Sequence, residues 1–400
     1  MRNQSIADLS RKKCCGCEAC RQICPAECIT FAEDSEGFVY PNVDMSKCVK
    51  CGKCVRVCPC LDESPSNIPT VNYAFWDKRD SIRNKSSSGG FFTFLAERVL
   101  SQDGVVFGAG FNHANEVVHT WVEKDFSLDG IRRSKYVQSR IGDSFKCCRD
   151  FLRKGRQVLF VGTPCQIKAL NLFVSGEKNR SALTTVDFIC HGVPSPGVFR
   201  SYLNGLAQDL GTQVDRLESI NFRDKRLGPT YSFSFSFSFS GTTHCENMRS
   251  NHYLIGFLKN LYLRPSCYDC PARGFSNGAD YTMCDYWGLI RQHPDFPADT
   301  PWVSRVFIHR DKLNILDALK TNPDVLWKVY SLQSKKDFPA WSFNSVPKPK
   351  NRDVFFRRYR KDDFKTIVAD LSKEPYLKRL RRGIRHWLKM RLVKIGVIDK

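Results

Sequence analysis

The chain has 400 residues and a mass of 45.9 kDa, which predicts two or three domains rather than a single core. A hydrophobic share of 42%, a charged share of 26% and a mean hydropathy of −0.37 argue against both a membrane bundle and a disordered chain. Two features need an explanation, namely 19 cysteines and a formal net charge of +21.

Residues 1–13 contain no apolar stretch of the kind found in secretory signals, and the sequence has no run of 18 apolar residues. We therefore expect a cytoplasmic protein. Because the cytoplasm is reducing, the cysteines are expected to be metal ligands, catalytic groups or buried thiols rather than disulfides.

An internal repeat of 34 residues occupies the N-terminal part of the chain. The run Cys-x2-Cys-x2-Cys-x3-Cys-Pro occurs at residues 14–25 and again at 48–59. In this spacing three cysteines bind one 4Fe-4S cluster and the fourth binds the other cluster. We therefore assign one cluster to Cys14, Cys17, Cys20 and Cys58, and the second to Cys48, Cys51, Cys54 and Cys24.

Zinc is the alternative for such cysteine pairs, but zinc requires neither the third cysteine of each run nor the repeated Cys-Pro ending. Gly16 and Gly52 are expected at matching positions where the backbone curls close to a cluster. Cys15, Cys28 and Cys60 have no assigned role, although Cys15 could replace Cys14. Residues 1–65, with nine basic and nine acidic residues, form the predicted ferredoxin domain.

From residue 71 onward, apolar runs of strand length alternate with helical patterns, which predicts a mixed α/β body. We expect this body to span an N-terminal part, 66–155, and a C-terminal part, 156–345. Strands are expected at VNYAFW, VVFGAGF, QVLFVG and LTTVDFI, and helices in FFTFLAERVL, at about 143–155, in PCQIKALNLF and after Pro196. The alternating segment YSFSFSFSFSG, 231–241, predicts an antiparallel strand with phenylalanines inward, serines outward and a Gly-Thr turn at its end.

Two loops offer groups that suit an anion. Ser86, Ser87, Ser88, Gly89 and Gly90 precede a helix, whose N-terminal N–H groups favour a phosphate, although an ordinary helix cap would have the same composition. The segment RSKYVQS at 133–139 supplies a lysine and hydroxyls, which equally suit a solvated loop.

A second group of cysteines lies in the body. Cys165 and Cys190 each follow an apolar strand, where α/β sheets place ligands, and Cys267 and Cys270 form a CxxC pair. Four cysteines are enough for a third 4Fe-4S cluster. Zinc, or small core residues beside an incidental CxxC pair, are the alternatives at this point. Cys147, Cys148, Cys245 and Cys284 are expected to be structural.

Six separated motifs carry a resemblance to a known family: SSSGGFFTFLAERVL, RSKYVQS, VLFVGTPCQIKAL, VDFICHGVPSP, RPSCYDCP and DYTMCDYWG. With the N-terminal repeat they resemble, over about residues 8–310, the beta subunits of the coenzyme F420 (deazaflavin) hydrogenases and dehydrogenases, whose relatives include hydroxymethyl-chlorophyll reductase. The resemblance implies an iron–sulfur flavoprotein that binds FAD and holds a cluster close to the flavin. It implies that Cys165, Cys190, Cys267 and Cys270 ligate this inner cluster.

The resemblance also implies which residues surround the FAD: Ser86, Ser87, Ser88, Gly89, Gly90, Ser134, Lys135, Tyr136, Gln138, Ser139, Gly162, Thr163, Pro164, Asp285 and Trp287. Lys135, His191 and Asp285 are the catalytic candidates, with Lys135 near the FAD and His191 as a proton donor. A hydrogen bond to nearby backbone would equally explain His191, and a packed strand end would explain Asp285. Cys284 and Pro229 depart from the family pattern, which puts the substrate pocket in doubt more than the flavin site.

The C-terminal segment 346–400 is predicted to be a basic helical tail. Residues 351–400 hold 16 basic and six acidic residues, and apolar residues recur at three- and four-residue steps from Leu377 to Ile395. Such a helix could lie on an anionic membrane surface, bind an acidic partner or pack on the body of the protein. Nucleic acid is not expected to be a partner, because no nucleic-acid-binding motif accompanies the charge.

Two functions remain open from the sequence. The first is an FAD- and 4Fe-4S-dependent oxidoreductase that passes electrons between ferredoxin or a reduced deazaflavin and an organic substrate. Since relatives with a ferredoxin domain occur beside surface polysaccharide genes, that substrate could be a sugar or a polyprenyl-linked glycan precursor. The alternative is a non-catalytic electron-relay subunit that serves a partner oxidoreductase. A binding protein with structural clusters is a third possibility.

Overall fold

A computed structural model describes residues 5–228 and 234–373. The described strands are β1 Ile29–Glu33, β2 Val39–Val43, β3 Val71–Asp77, β4 Val105–Phe111, β5 Val117–Val122, β6 Val158–Val161, β7 Leu183–Phe188, β8 Leu217–Asn221, β9 Ser234–Phe239, β10 Thr242–Asn247, β11 Tyr281–Asp285, β12 Ser304–Ile308 and β13 Val325–Ser331. The described helices are α1 Ala19–Ile23, α2 Lys53–Arg56, α3 Asp80–Asn84, α4 Phe91–Ser101, α5 Ser144–Arg153, α6 Pro164–Phe173, α7 Pro196–Asp209, α8 His252–Leu258, α9 Leu289–Gln292, α10 Ile315–Thr321, α11 Arg352–Arg358 and α12 Phe364–Ser372.

The body is built on an eight-stranded mixed sheet in the order β13-β3-β12-β11-β7-β6-β4-β5. The pairs β4·β6, β6·β7 and β7·β11 are parallel, and the remaining pairs are antiparallel. The fold is therefore the expected mixed α/β architecture. The three parallel pairs matter for function, because they carry the chain out of β6 and β7 at the same edge of the sheet.

Apolar side chains cover both faces of this sheet. On one face Phe107 and Phe160 pack against Phe145 of α5 and Leu170 of α6, and all four are buried. On the other face the cluster includes Phe94 of α4, together with side chains of α10 and of strands β3, β7, β11 and β12. Each helix has an apolar face that is buried against a face of the sheet, and this explains why helices and strands alternate along the chain.

A separate three-stranded antiparallel sheet, in the order β10-β9-β8, packs against α7, α8, α11 and α12. The alternating Ser/Phe segment supplies β9, and Phe235, Phe237 and Phe239 lie in the core as expected. The expectation that its serines face solvent is wrong, because Ser236 and Ser238 are also buried. As β9 is the central strand, the Ser236 hydroxyl can donate to Asp224 at 2.6 Å, and that of Ser238 can pair with Thr243 at 2.8 Å.

The turn after β9 runs through Ser240 and Gly241, as expected for the Gly-Thr ending.

Residues 229–233, which include Pro229, lie outside the described residues, as does the predicted basic helix between 377 and 395. The start of the predicted tail is described, and Phe355 of α11 and Val368 of α12 are buried in the core around β9. No helix in the described part of the chain is long and apolar enough to cross a membrane.

The two cysteine runs of the N-terminal segment curl through left-handed backbone, but Gly16 and Gly52 do not match each other in the repeat as expected. With the 34-residue offset, Gly16 (φ 68°) corresponds to Lys50 (φ 50°), and Glu18 (φ 58°) corresponds to Gly52 (φ 69°). Each CxxC gap therefore contains one residue with positive φ, and glycine occupies only two of the four positions.

The N-terminal segment is held against the body by acidic side chains that pair with basic residues of the body. Glu18 accepts two hydrogen bonds from Arg140, at 2.7 and 3.1 Å, and its side chain has no exposed surface. Glu36 pairs with Arg352 at 2.5 Å, Glu33 with Arg200 at 2.5 Å, and Asp62 with Lys168 at 3.1 Å. These contacts fix the N-terminal cysteines relative to the sheet edge that carries Cys165 and Cys190.

Candidate functional site: three cysteine sites and a cationic pocket

The first outer site consists of Cys14, Cys17, Cys20 and Cys58. Burial, followed by the neighbouring thiols of Cys17 and Cys14, raises the pKa of Cys20 well above its usual value. A hydrogen bond with Cys60, together with burial and the thiol of Cys17, likewise raises the pKa of Cys58. The four predicted ligands are thus neighbours, and Cys14, Cys17 and Cys58 are buried.

The second outer site is a cavity of about 300 Å³ lined by the other four predicted ligands, Cys24, Cys48, Cys51 and Cys54. Cys28 lines the same cavity, with its sulfur 3.5 Å from that of Cys24. Cys51 is exposed, in contrast to the buried first site. The crossover of the fourth cysteine predicted from the repeat is therefore present, because Cys24 lies with the second run.

The body contains a third cysteine site, a cavity of about 380 Å³ lined by Cys165, Cys190, Cys267 and Cys270. Burial raises the pKa of Cys190 to about 12 and that of Cys270 to about 11. Iron bound by these sulfurs would favour their thiolate forms. Within the described ranges, no three His, Cys, Asp or Glu side chains are close enough together to hold a single metal ion.

Local structure explains how these four sulfurs reach one cavity. Thr163 caps α6 in a capping box with Gln166, and Pro164 occupies the first turn, so that Cys165 lies at the start of the helix directly after β6. Cys190 follows β7, and Gly192 has φ 139° where an added Cβ would lie 2.8 Å from Leu263 Cδ1. The 3-10 helix Pro265–Asp269 supplies Cys267, whose sulfur lies 3.4 Å from the Val193 nitrogen.

Cys15, which the sequence left without a role, lines this third cavity from the ferredoxin side. Its electrostatic interactions with the thiols of Cys165, Cys17 and Cys60, together with burial, raise its pKa well above the usual value. Cys17 belongs to the first outer site and Cys165 to the third. One buried thiol therefore lies beside both sites, and the spacing of the repeat gave no signal for it.

Arg264 is a second residue that the sequence analysis missed at this junction. Its side chain is fully buried and lines the third cavity. Nε donates to the Cys14 carbonyl at 2.7 Å, Nη1 donates to Gln138 at 3.0 Å, and Nη2 lies 3.8 Å from the Cys14 sulfur. A buried cation thus lies between the first outer site and the third site, where it lowers the cost of negative charge on the thiols.

The predicted Ser-Gly loop and the predicted RSKYVQS loop meet in the structure. The Ser134 nitrogen donates to the Ser87 hydroxyl at 2.8 Å, and the two hydroxyl oxygens are 3.1 Å apart. Arg223 joins them to Asp285, donating to its two carboxylate oxygens at 2.8 and 3.0 Å, and also donates to the Ser87 carbonyl at 3.0 Å and to the Tyr136 hydroxyl at 3.2 Å. Of the predicted flavin segments, those of Ser87, Ser134, Tyr136 and Asp285 are therefore adjacent.

Basic side chains concentrate around this meeting point. Lys225 donates to the Ser88 carbonyl at 2.9 Å and to the Arg83 carbonyl at 2.6 Å, and lies over the Trp302 ring at 4.7 Å. Burial, reinforced by the charge of Arg223, lowers the pKa of Lys225 to about 7. Burial also lowers the pKa of Lys135 to about 7. We call the region formed by Ser87, Ser134, Arg223 and Lys225 the cationic pocket.

Several predicted site residues lie elsewhere or have other contacts. Lys135 Nζ donates to the carbonyls of its own loop, among them Arg132 at 2.5 Å. Gln138 Nε2 donates to the Cys15 carbonyl at 3.0 Å, and Ser139 accepts from Gln166 at 3.0 Å, so these two residues face the ferredoxin side. His191 Nε2 lies 2.6 Å from Asn260 Oδ1, and burial lowers the pKa of its ring.

The remaining predicted flavin residues fall into three places. Ser86 bonds to Ile82, while Gly89 donates to Ser304 at 2.9 Å and Gly90 caps α4 with φ 99°. Gly162, Thr163 and Pro164 form the turn into α6 beside Cys165, and Trp287 is 56% exposed. Among the cysteines expected to be structural, Cys148 is buried in the core, and Cys284 lies in β11 opposite Arg305.

Comparison with known proteins assigns both parts of the chain. Residues 155–321 match the family described as the C terminus of the coenzyme F420 hydrogenase/dehydrogenase beta subunit, and residues 13–61 match the 4Fe-4S dicluster domain. The family resemblance is thereby confirmed. The chain thus combines a segment that matches the 4Fe-4S dicluster domain with a segment that matches the C terminus of the F420 hydrogenase beta subunit, and it is an iron–sulfur protein of the oxidoreductase and electron-transfer class.

One curated relative and one solved structure are similar to parts of this chain. NADH-quinone oxidoreductase subunit I 2 of Geobacter metallireducens is 44% identical over 100 residues, which are 23% of this chain and 65% of that protein. The F420-reducing [NiFe] hydrogenase complex from Methanosarcina barkeri contains a chain that is 14% identical, with a TM-score of 0.45, over 78% of this chain and 93% of that chain.

Proposed function

We propose that this protein is an iron–sulfur flavoenzyme in which electrons pass between the ferredoxin domain and a flavin through a third cluster in the body. The observation that carries the proposal is the position of Cys15. Its thiol lines the third cavity and interacts electrostatically with Cys17, a predicted ligand of the first outer cluster, and with Cys165, a predicted ligand of the third. Two cysteine sites on either side of one buried thiol are neighbours, which favours direct electron exchange between them.

The donor set of the third cavity fits a 4Fe-4S cluster. Four cysteine sulfurs are the usual ligands of such a cluster, and Cys165, Cys190, Cys267 and Cys270 line this one cavity. Arg264 would compensate part of the negative charge of the thiolates, and Arg273 holds the Cys190 carbonyl at 2.5 Å. When bound, the clusters would supply one-electron transfer.

The cationic pocket fits the phosphates of FAD. Arg223 and Lys225 place positive charge beside the backbone of Ser87 and Ser88, where the Ser134 nitrogen also meets the Ser87 hydroxyl. Since burial lowers the pKa of Lys225 to about 7, an anion in the pocket would favour its protonated form. The flavin would supply the conversion between one-electron and two-electron chemistry. Asp285 holds Arg223 in place, which makes it a positioning residue.

The composition of the cofactors tests this proposal. Anaerobically purified protein is expected to contain about twelve irons and one FAD per chain. Replacing Cys165 and Cys190 with serine should remove about four irons while leaving the two ferredoxin clusters detectable by electron paramagnetic resonance. Cys147→Ser/Cys245→Ser is the matched control, because neither cysteine lines a cavity described above, and it should keep all the iron. An iron content of eight in the unaltered protein would overturn the third cluster.

The second candidate is an electron-relay subunit that has no turnover of its own. The observation in its favour is the exposed Cys51, which leaves the second outer site accessible to a partner protein. The purified chain distinguishes the two candidates. If the protein is an enzyme, an organic acceptor should reoxidise its chemically reduced clusters without any other protein. If it is a relay subunit, the acceptor should reoxidise the clusters only after a second oxidoreductase is added.

A further inference from the structure

We propose that the loop 45–56 is a docking surface for a small acidic protein that carries one electron. This inference rests on the proposed relay, since it names the partner and the site at which that partner exchanges electrons. The docking surface is defined by seven exposed residues, Met45, Lys47, Val49, Lys50, Cys51, Lys53 and Arg56.

The geometry of the two outer sites gives the loop this role. The first site is buried against the body, where Cys14 bonds to Arg264 and Cys17 lies beside Cys15. The second site lies on the other side of the domain, with Cys51 exposed and Lys50 lining its cavity. An external carrier can therefore approach the second site most closely, and electrons would continue inward through the first.

Charge is distributed unevenly over a domain whose net charge is zero. Four of its nine acidic residues, Glu18, Glu33, Glu36 and Asp62, pair with basic side chains of the body. The docking surface instead carries Lys47, Lys50, Lys53 and Arg56, with Asp44 beside Lys47 at 3.7 Å. The exposed carboxylates Asp8 and Glu27 lie on neighbouring segments. The acidic residues thus attach the domain to the body, and the basic loop faces outward.

The same loop exposes apolar surface. Val49 is 65% exposed and Met45 is 50% exposed, and both lie in the same segment as the basic residues. Apolar side chains ringed by basic residues favour a partner with an acidic rim around an apolar centre, since charge guides the encounter and apolar contact shortens the distance for electron transfer. In this step one electron leaves the reduced centre of the carrier and enters the cluster held by Cys24, Cys48, Cys51 and Cys54. No bond forms or breaks.

The test measures the rate at which a reduced acidic two-iron ferredoxin reduces the full-length protein, loaded with its clusters, in a stopped-flow instrument. At low ionic strength, Lys47→Glu/Lys53→Glu should slow the second-order rate by about tenfold or more, and added salt should remove most of the difference. The matched control is Lys124→Glu/Lys178→Glu, which makes the same charge change on exposed lysines of the body. This control should stay within about twofold of the unaltered protein.

Dithionite separates failure of the docking surface from failure of the relay. If dithionite reduces all the clusters of the unaltered protein and of both variants at similar rates, a selective loss with ferredoxin locates the docking surface. Equal ferredoxin rates for the two charge-reversed variants would overturn the docking surface and leave the relay intact. Clusters that dithionite cannot reduce would overturn the relay itself.

Discussion

Arg264 Nε donates a hydrogen bond of 2.7 Å to the carbonyl oxygen of Cys14, although the two residues are 250 positions apart in the sequence. The guanidinium also lies 4.2 Å above the centre of the Tyr40 ring and donates to the Val39 carbonyl at 3.0 Å. One side chain of the body thus bonds directly to the first cysteine run. Its charge lies next to the cluster that the run binds.

Arg264→Met is expected to lower the reduction potential of the first outer cluster, because the buried positive charge stabilises the reduced form, which carries one more negative charge. Arg264→Lys should retain part of that effect. Potentials would be measured by redox titration monitored by electron paramagnetic resonance. Arg352→Met is the control, since Arg352 is equally buried at the same interface but bonds to Glu36. Arg352→Met should destabilise the protein by about 3 kcal/mol without shifting the reduction potential. An equal shift of the potential in Arg264→Met and Arg352→Met would contradict the role of Arg264.

Gly16→Ala is expected to destabilise the protein more than Gly52→Ala. Both glycines have φ near 70°, so either alanine costs about 1 kcal/mol of backbone strain. At Gly16 an added Cβ would also lie 2.7 Å from Arg264 Cζ, whereas at Gly52 the nearest atom is 3.6 Å away. Overpacking should therefore add about 1–3 kcal/mol at Gly16 alone. Denaturant unfolding under anaerobic conditions measures the difference, and equal losses would show that Arg264 moves aside freely.

The features that the sequence predicted depend on local patterns. Cys165 and Cys190 were expected to approach each other because each follows an apolar strand, and parallel strands bring such positions to one edge. The second outer site gathers four cysteines that the repeat spacing had already grouped. In both cases a few neighbouring residues are sufficient to determine the position of the side chain.

The features that the sequence missed depend on contacts between distant segments. The proximity of Cys15 to Cys165 could not be read from the repeat, because Cys165 lies in the body. The serines of β9 alternate as a solvated face would, yet Ser236 and Ser238 are buried, with Asp224 accepting a hydrogen bond from Ser236 and Thr243 pairing with Ser238. Alternation reports which residues share a face, and it does not report whether another segment of the chain packs on that face.

Glu18→Gln is expected to weaken the attachment of the ferredoxin domain by about 1–3 kcal/mol. The Glu18 carboxylate is buried and accepts two hydrogen bonds from Arg140 and one from the Ile141 nitrogen at 3.2 Å. The amide can accept only at its oxygen and carries no charge. Faster proteolysis between residues 61 and 70 would report the loosened domain. Glu177→Gln, which removes a carboxylate from the partly exposed pair with Arg153, should have little effect.

Lys225→Met is expected to flatten the dependence of stability on pH between about pH 7 and pH 10. Burial lowers the pKa of Lys225 to about 7 in the folded chain, whereas an unfolded lysine titrates near 10.4. Between these values the unfolded chain binds more protons, so the free energy of unfolding rises with pH over this window and is lowest below it. The variant lacks this contribution, and urea unfolding at pH 7 and pH 9.5 should show a smaller rise than in the unaltered protein. Lys178→Met, at an exposed lysine, should keep the full rise; an identical loss there would mean that the effect does not come from burial in the cationic pocket.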